Sequence, residues 1–183
     1  WARFNELLPE SSVLIVSGSK AAGFSNEIFP NMVRAAKKAG MMVVLDVRKD
    51  DLVNSIDYRP DVIMPNLSEF LHTFFTPQKL SEAVDDQELL ESAMQKMEEL
   101  YSVFGITSVL TRGGKPTLFI NDGRLEQLEP PKLEPVNTIG CGDAFTAGFT
   151  HEFMRGASVQ KAVESGQKYA VINARLLRPG VIR

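Results

Sequence analysis

Val136-Asn137-Thr138-Ile139-Gly140-Cys141-Gly142-Asp143-Ala144-Phe145-Thr146-Ala147-Gly148-Phe149 is the stretch on which the reading of this chain turns. An extended approach through Pro130, Pro131 and Pro135 leads into it, because proline cannot sit inside a helix. Gly140 and Gly142 then permit a tight turn. From Asp143 onward, small and aromatic residues predict a helix packed closely on its neighbours. A glycine-rich turn that opens a helix aims unpaired backbone N–H groups at one point, and the helix dipole makes that point positive. Such a point is a cradle for a phosphate. Asp143 falls in the first helical turn, where the dipole favours its ionised form, and an ionised carboxylate there can accept a proton from a hydroxyl.

These residues also admit a plainer reading, a turn closed by an aspartate cap. Two better-known phosphate motifs do not fit. The dinucleotide fingerprint needs Gly or Ala where Phe145 stands. The P-loop needs Ser or Thr after Gly-Lys, whereas Gly114-Lys115 is followed by Pro116.

Composition sets the outer bounds. The 183 residues suffice for one domain with a real core, and 44% hydrophobic with 23% charged residues is ordinary for a globular protein. A net charge of -3 offers no basic footprint for nucleic acid. Cys141 is the single cysteine, which excludes an intramolecular disulfide and suits a reducing, cytoplasmic setting. No apolar run approaches membrane-spanning length and no signal-peptide pattern opens the chain. The first residue is Trp1, which is expected of a trimmed chain or of a part of a longer polypeptide.

Working outward, Ser12 to Gly18 predicts a buried strand. A helix is expected from about Asn26 to Ala39, firm from Pro30, and a second strand from Met41 to Asp46. Short joins make this a βαβ unit with parallel strands. Asp46 then stands at a strand's carboxyl end, where ligand crevices form in α/β sheets, although a loop cap or solvated carboxylate is the preferred reading. Asp61 to Met64 reads as a strand stopped by Pro65, and Asn66 with Glu69 as a capping box. Thr73 to Val84 reads as loop or short helix, and Asp86 to Phe104 as a long amphipathic helix ended by Gly105. Ile106 to Thr111 is the next strand. Arg112 and Lys115 are expected in a solvated loop, with contact to nucleotide phosphates as the alternative. Asn121-Asp122-Gly123-Arg124 signals a hairpin between Thr117–Ile120 and Leu125–Leu128. After the organising stretch, helices are expected to about Met154 and from Ser158 to about Leu176. His72 and His151 lie in no metal-ligand spacing.

Asn137-Thr138-Ile139-Gly140-Cys141-Gly142-Asp143 with its small-residue helix resembles the second signature of the ribokinase-like (PfkB-type) carbohydrate kinases, usually Asp-Thr-x-Gly-Ala-Gly-Asp. Asn137 replaces the commoner Asp, and Cys141 replaces the middle Ala. Asn66-Leu67-Ser68-Glu69 after a strand is similar to a second motif of that family, and Thr111-Arg112-Gly113 to its nucleotide-lining Thr-x-Gly, although Pro116 stands where another Gly is usual. The family also often places a Gly-Ser turn and an Asp at the strand ends occupied here by Gly18-Ser19 and Asp46.

The resemblance implies a three-layer αβα fold with a mostly parallel sheet. It implies an ATP-dependent phosphotransferase acting on a sugar or sugar-like alcohol. Asp143 would take the proton of the acceptor hydroxyl, and the backbone amides of Gly140, Cys141 and Gly142 would stabilise the γ-phosphoryl group. Asn66 and Glu69 would hold water around Mg²⁺ and the phosphates. Thr111, Gly113 and Asn173 would flank the nucleotide, Asn173 reaching an adenine edge. A homodimer is an assembly open to such a chain.

Residues 1–183 match only the latter part of the family's length. The early strands, the first glycine-rich signature and the β lid that holds the sugar are expected to be missing: disordered, cleaved, on another chain or lost by truncation. An inactive nucleotide-binding remnant and a nucleoside kinase of the same fold are the alternatives.

Overall fold

The computed structural model describes residues 1–75 and 85–180. The later part of the stretch expected as loop or short helix, Thr73 to Val84, therefore lies outside the described residues.

Helix α1 (Ala2–Leu7) leads through a 3₁₀ turn into strand β1 (Val13–Ser17). Helix α2 (Ile28–Lys38) and strand β2 (Met42–Asp46) follow. α2 starts two residues ahead of Pro30, which its first turn accommodates because the early N–H groups of a helix need no intrahelical partner. A short helix α3 (Asp50–Val53) precedes strand β3 (Val62–Ile63) and helix α4 (Leu67–Phe74). Asn66 caps α4 in a reciprocal box. Its side chain accepts from the Glu69 N–H at 2.8 Å, and Glu69 accepts from the Asn66 N–H at 3.3 Å. Helix α5 (Gln87–Phe104) is capped by Asp86 and ends on Gly105 in a left-handed conformation. Strands β4 (Thr107–Arg112), β5 (Lys115–Asn121) and β6 (Arg124–Leu128) come next, then helices α6 (Cys141–Met154) and α7 (Val159–Ala174).

The six strands lie side by side in chain order. β1 to β4 pair in parallel, and β5 and β6 extend the sheet as antiparallel strands. The β5–β6 turn places Asp122 at φ 49° and Gly123 at φ 77°, the two positive dihedrals that a two-residue type I′ hairpin requires.

Strand alternation divides the core in two. Leu14, Val16, Val43, Leu45, Ile63 and Leu110 pack on one face beneath α2, α4 and α5. Val44, Val62, Val109 and Phe119 point the other way and meet Phe145 and Phe149 of α6 and Val159 and Val163 of α7. The result is three layers, with α6 and α7 in one and the other helices opposite. α6 and α7 touch through glycine. A Cβ on Gly166 would lie 3.0 Å from the Phe145 carbonyl oxygen, and one on Gly148 would lie 3.0 Å from the Ser165 carbonyl. Among the described residues, no helix is long and apolar enough to cross a membrane.

Candidate active site

The parallel strands end on one rim. Residues at the carboxyl ends of β1 to β4, namely Ser17, Asp46, Met64 and Thr111, line a cleft of about 280 Å³ together with Asn66 and Glu69 at the start of α4. The N-terminus of α6 closes it from the opposite layer with Gly140, Gly142, Asp143, Phe145 and Thr146. This is the crevice outside the strand ends where open α/β sheets take ligands.

The turn before α6 is built from local bonds. Asn137 Oδ1 accepts from the Ile139 N–H at 2.9 Å, and the Cys141 N–H donates to the Thr138 carbonyl at 3.2 Å. Gly140 caps the helix with φ 76°, a left-handed conformation that side chains rarely adopt. No hydrogen bond among the described residues engages the N–H groups of Gly140, Gly142 or Asp143. A Cβ on Gly142 would meet nothing within 4 Å, so the space beside that residue is open, whereas one on Gly140 would lie 3.4 Å from Pro179. Of the three amides expected as donors, that of Cys141 is thus already engaged within the turn. The Asp143 N–H, in the same first turn, has no such bond among the described residues.

Two carboxylates meet beside the cradle. In the β1–β2 register Ser17 stands opposite Asp46. Asp46 lies two residues beyond Val44, so the strand pleat turns it toward α6. Ser17 Oγ lies 2.9 Å from Asp46 Oδ2 and 3.0 Å from Asp143 Oδ1, and the Thr146 hydroxyl donates to Asp46 Oδ2 at 3.3 Å. Asp46 is therefore no solvated strand-end carboxylate, as the sequence favoured, but a half-buried member of the cleft. Burial pushes its pKa from 3.8 up to about 6; the Ser17 and Thr146 hydroxyls oppose that rise, while Glu69 and Asp143 add to it.

Native Asp46 binds its proton more tightly than the unfolded chain does. Its contribution to stability is thus fully present below pH 3.8 and is lost as pH rises through about 6. Asp46→Asn should stabilise the chain at pH 7.5 by roughly 1–3 kcal/mol, and that gain should shrink toward zero by about pH 4. Urea denaturation at the two pH values measures it. An equal effect at both would show that the ionised carboxyl carries no burial penalty.

The other expected residues divide. Asn66, Glu69 and Thr111 line the cleft, and Glu69 Oε1 also accepts from Arg48 Nη1 at 2.9 Å. Gly113 sits in the turn between β4 and β5, outside the cleft lining. Asn173 departs from its expected place at an adenine edge, for it is fully buried. Its Nδ2 donates to the Ile139 carbonyl at 2.8 Å and its Oδ1 accepts from the Gly180 N–H at 2.8 Å. The amide ties the glycine-rich turn to the segment after α7, with its polar atoms committed inside the chain. Arg112 also departs from the expected solvated loop. It is the last residue of β4 and 5% exposed, and its guanidinium lies 3.4 Å from the Asp85 carboxylate. Lys115 pairs with the same carboxylate at 2.6 Å.

Ser17, Thr146 and Arg48 also line the cleft and were not singled out from sequence. For Ser17 and Thr146 a signal existed in spacing. Ser17 closes a strand of alternating burial, and Thr146 lies three residues after Asp143 on the same helix face.

Residues 2–179 match the family described as pfkB family carbohydrate kinase. The chain is 30% identical over 148 residues to a 1-phosphofructokinase of Haemophilus influenzae, covering 80% of this chain and 44% of that protein. It is 27% identical over 157 residues to a D-tagatose-1-phosphate kinase of Bacillus licheniformis, covering 85% and 49%. The fold matches phosphofructokinase-2 from Escherichia coli in complex with substrates and products with a TM-score of 0.79 at 20% identity, over 94% of this chain and 55% of that one. It matches ribokinase of Arabidopsis thaliana complexed with ribose and ATP with a TM-score of 0.73 at 22% identity, over 95% and 53%. The chain spans about half the length of the curated relatives it matches.

Proposed function

This chain belongs to the pfkB family of carbohydrate kinases, and from that premise we propose that its cleft binds ATP and serves transfer of the γ-phosphoryl group to a hydroxyl of a sugar or sugar phosphate. The observation that carries the reading is the pairing of open N–H donors at the start of α6 with the Asp143 carboxylate in the same first turn. Donors fixed in space before the reaction stabilise charge as it develops, and here they need no reorganisation. The names of the curated relatives, both sugar-phosphate kinases, support the acceptor class.

In this reading the N–H groups of Gly140, Gly142 and Asp143 hold the transferring phosphoryl oxygens. Asp143 accepts the proton as the acceptor hydroxyl attacks phosphorus. Thr111 borders the nucleotide. Glu69 and Asn66 suit a hard divalent cation held through water, since both offer oxygen donors at the cleft rim. Among the described residues no group of three or more His, Cys, Asp or Glu side chains is placed to hold a metal directly. Mg²⁺, when bound, would neutralise charge on the phosphate oxygens. A reducing, cytoplasmic setting agrees with the single Cys141.

Coverage of about half of each curated relative supports a second reading, a nucleotide-binding unit with no turnover of its own. Calorimetric titration of this chain with MgATP, followed by an assay of phosphoryl transfer, separates the two. Saturable MgATP binding that Gly142→Val abolishes is expected under both. Phosphoryl transfer to fructose 1-phosphate, tagatose 1-phosphate or another sugar by this chain alone selects the first. Failure to bind MgATP at millimolar concentration would sink both.

A further inference from the structure

We propose that Ser17 and Asp46 are positioning residues for Asp143, forming a hydrogen-bonded relay that aims its carboxylate and then carries its proton away. The proposal rests on the phosphotransfer assigned to the cleft and adds two residues to it. The geometry is the starting point. One hydroxyl oxygen stands 2.9 Å from Asp46 and 3.0 Å from Asp143. A serine hydroxyl has a single proton to donate and lone pairs to accept with. It can satisfy both carboxyls at once only when one of them holds a proton of its own. Two carboxylates tied to one hydroxyl therefore share a proton count, and a proton arriving at one is felt by the other.

The placement has a structural cause. β1 and β2 are in register, so Ser17 and Asp46 are direct cross-strand neighbours. α6 crosses above them and contributes Asp143 and Thr146, one helical turn apart. The Thr146 hydroxyl donates to the same Asp46 oxygen that faces Ser17, which fixes the carboxyl plane. The charged groups facing Asp46 from the packed elements are Asp143 on α6 and Glu69 on α4, and Glu69 is itself paired with Arg48.

The acceptor O–H bond breaks as its oxygen bonds to phosphorus, and the proton passes to Asp143. Asp143 returns it to Ser17 Oγ while the hydroxyl proton of Ser17 moves to Asp46 Oδ2. Asp143 is again a carboxylate, Ser17 is unchanged and Asp46 is neutral. Asp46 then releases the proton to water at the cleft. Its burial favours the neutral form, with a pKa of about 6, so it can hold the proton during turnover and lose it at neutral pH.

Two measurements test this. In the complete enzyme, Asp46→Asn and Ser17→Ala should each lower kcat about ten- to a hundredfold with KM for ATP unchanged. The double variant should lose no more than either single, as expected of residues acting as a unit. The unmodified enzyme should lose kcat as pH falls below about 6, and the Asp46→Asn enzyme should not. Unchanged kcat in both single variants, or additive losses with the same pH profile, overturns the relay while leaving the kinase reading in place. The second measurement needs no substrate. In carboxyl ¹³C NMR of this chain, the Asp143 resonance should show an inflection at the Asp46 titration that Ser17→Ala removes. An Asp143 resonance indifferent to both variants overturns the link whatever the assay gives. A complete enzyme silent toward ATP, with that coupling intact, refutes instead the function the proposal rests on.

Discussion

Asp143→Asn is expected to lower kcat of the complete enzyme by about 10²–10⁴-fold and to leave MgATP affinity of this chain unchanged or improved. Asn has nearly the shape of Asp, and its amide oxygen still accepts from Ser17, which lies 3.0 Å from the native carboxylate. What disappears is the ability to take a proton. Two smaller effects oppose each other in the ground state. A carboxylate in the first turn of α6 interacts favourably with the helix dipole, typically by about 0.3–1 kcal/mol. The same charge repels the phosphates that the adjoining N–H groups attract, and losing it relieves that repulsion. Both are small beside the loss of a proton acceptor, so the variant should fail in kcat and not in binding. Steady-state kinetics with a calorimetric ATP titration would show this split. A kcat within about fivefold of the unmodified enzyme would assign the proton transfer to another group, since general-base losses exceed that.

What sequence could reveal about this site depended on distance along the chain. The Asn66–Glu69 box is complete within three residues, and both of its bonds are present. The Asp122–Gly123 turn and the glycine-rich entry to α6 are equally local, so residue type alone fixes their geometry. Ser17, Asp46, Asp143 and Thr146 meet across separations of 29, 126 and 100 residues. A period of two told that Val44 and Asp46 share a face, but not that α6 covers that face. Only the register of β1 on β2 sets Ser17 against Asp46. Asn173 failed for a related reason. A polar residue near the end of an amphipathic helix looks available to a ligand until the partner 34 residues earlier is seen to claim it. Arg112 failed at a boundary, where β4 runs one residue further than its apolar pattern and carries the guanidinium inward. α1 and α3 are too short to show a helical period.

Phe149→Ala should have the largest effect on stability, a loss of about 3–5 kcal/mol in urea denaturation of this chain. The side chain is fully buried, packs beside Phe153 with ring centroids 5.3 Å apart, and belongs to the cluster that joins α6 to Val44, Val62, Val109 and Phe119 of the sheet. The void cannot close easily. Gly148 and Gly166 already hold α6 and α7 at contact distance, so α6 cannot fill it by moving toward α7. A domain of this size has roughly 5–15 kcal/mol of total stability, and the loss is a large part of it. The consequence reaches the cleft, because the helix that Phe149 anchors presents the Gly142 and Asp143 N–H groups six or seven residues earlier, about 10 Å along its axis. Phe149→Ala should therefore weaken MgATP binding even where the chain remains folded, whereas Phe149→Leu, leaving a smaller void, should lose less of both. Asp143→Asn, by contrast, should change stability by less than about 1 kcal/mol. If Phe149→Ala also loses less than about 1 kcal/mol, below the usual range for a buried aromatic, the sheet does not hold α6 through this residue, and the rigidity assigned to the amide cradle must come from the bonds of the Asn137 turn instead.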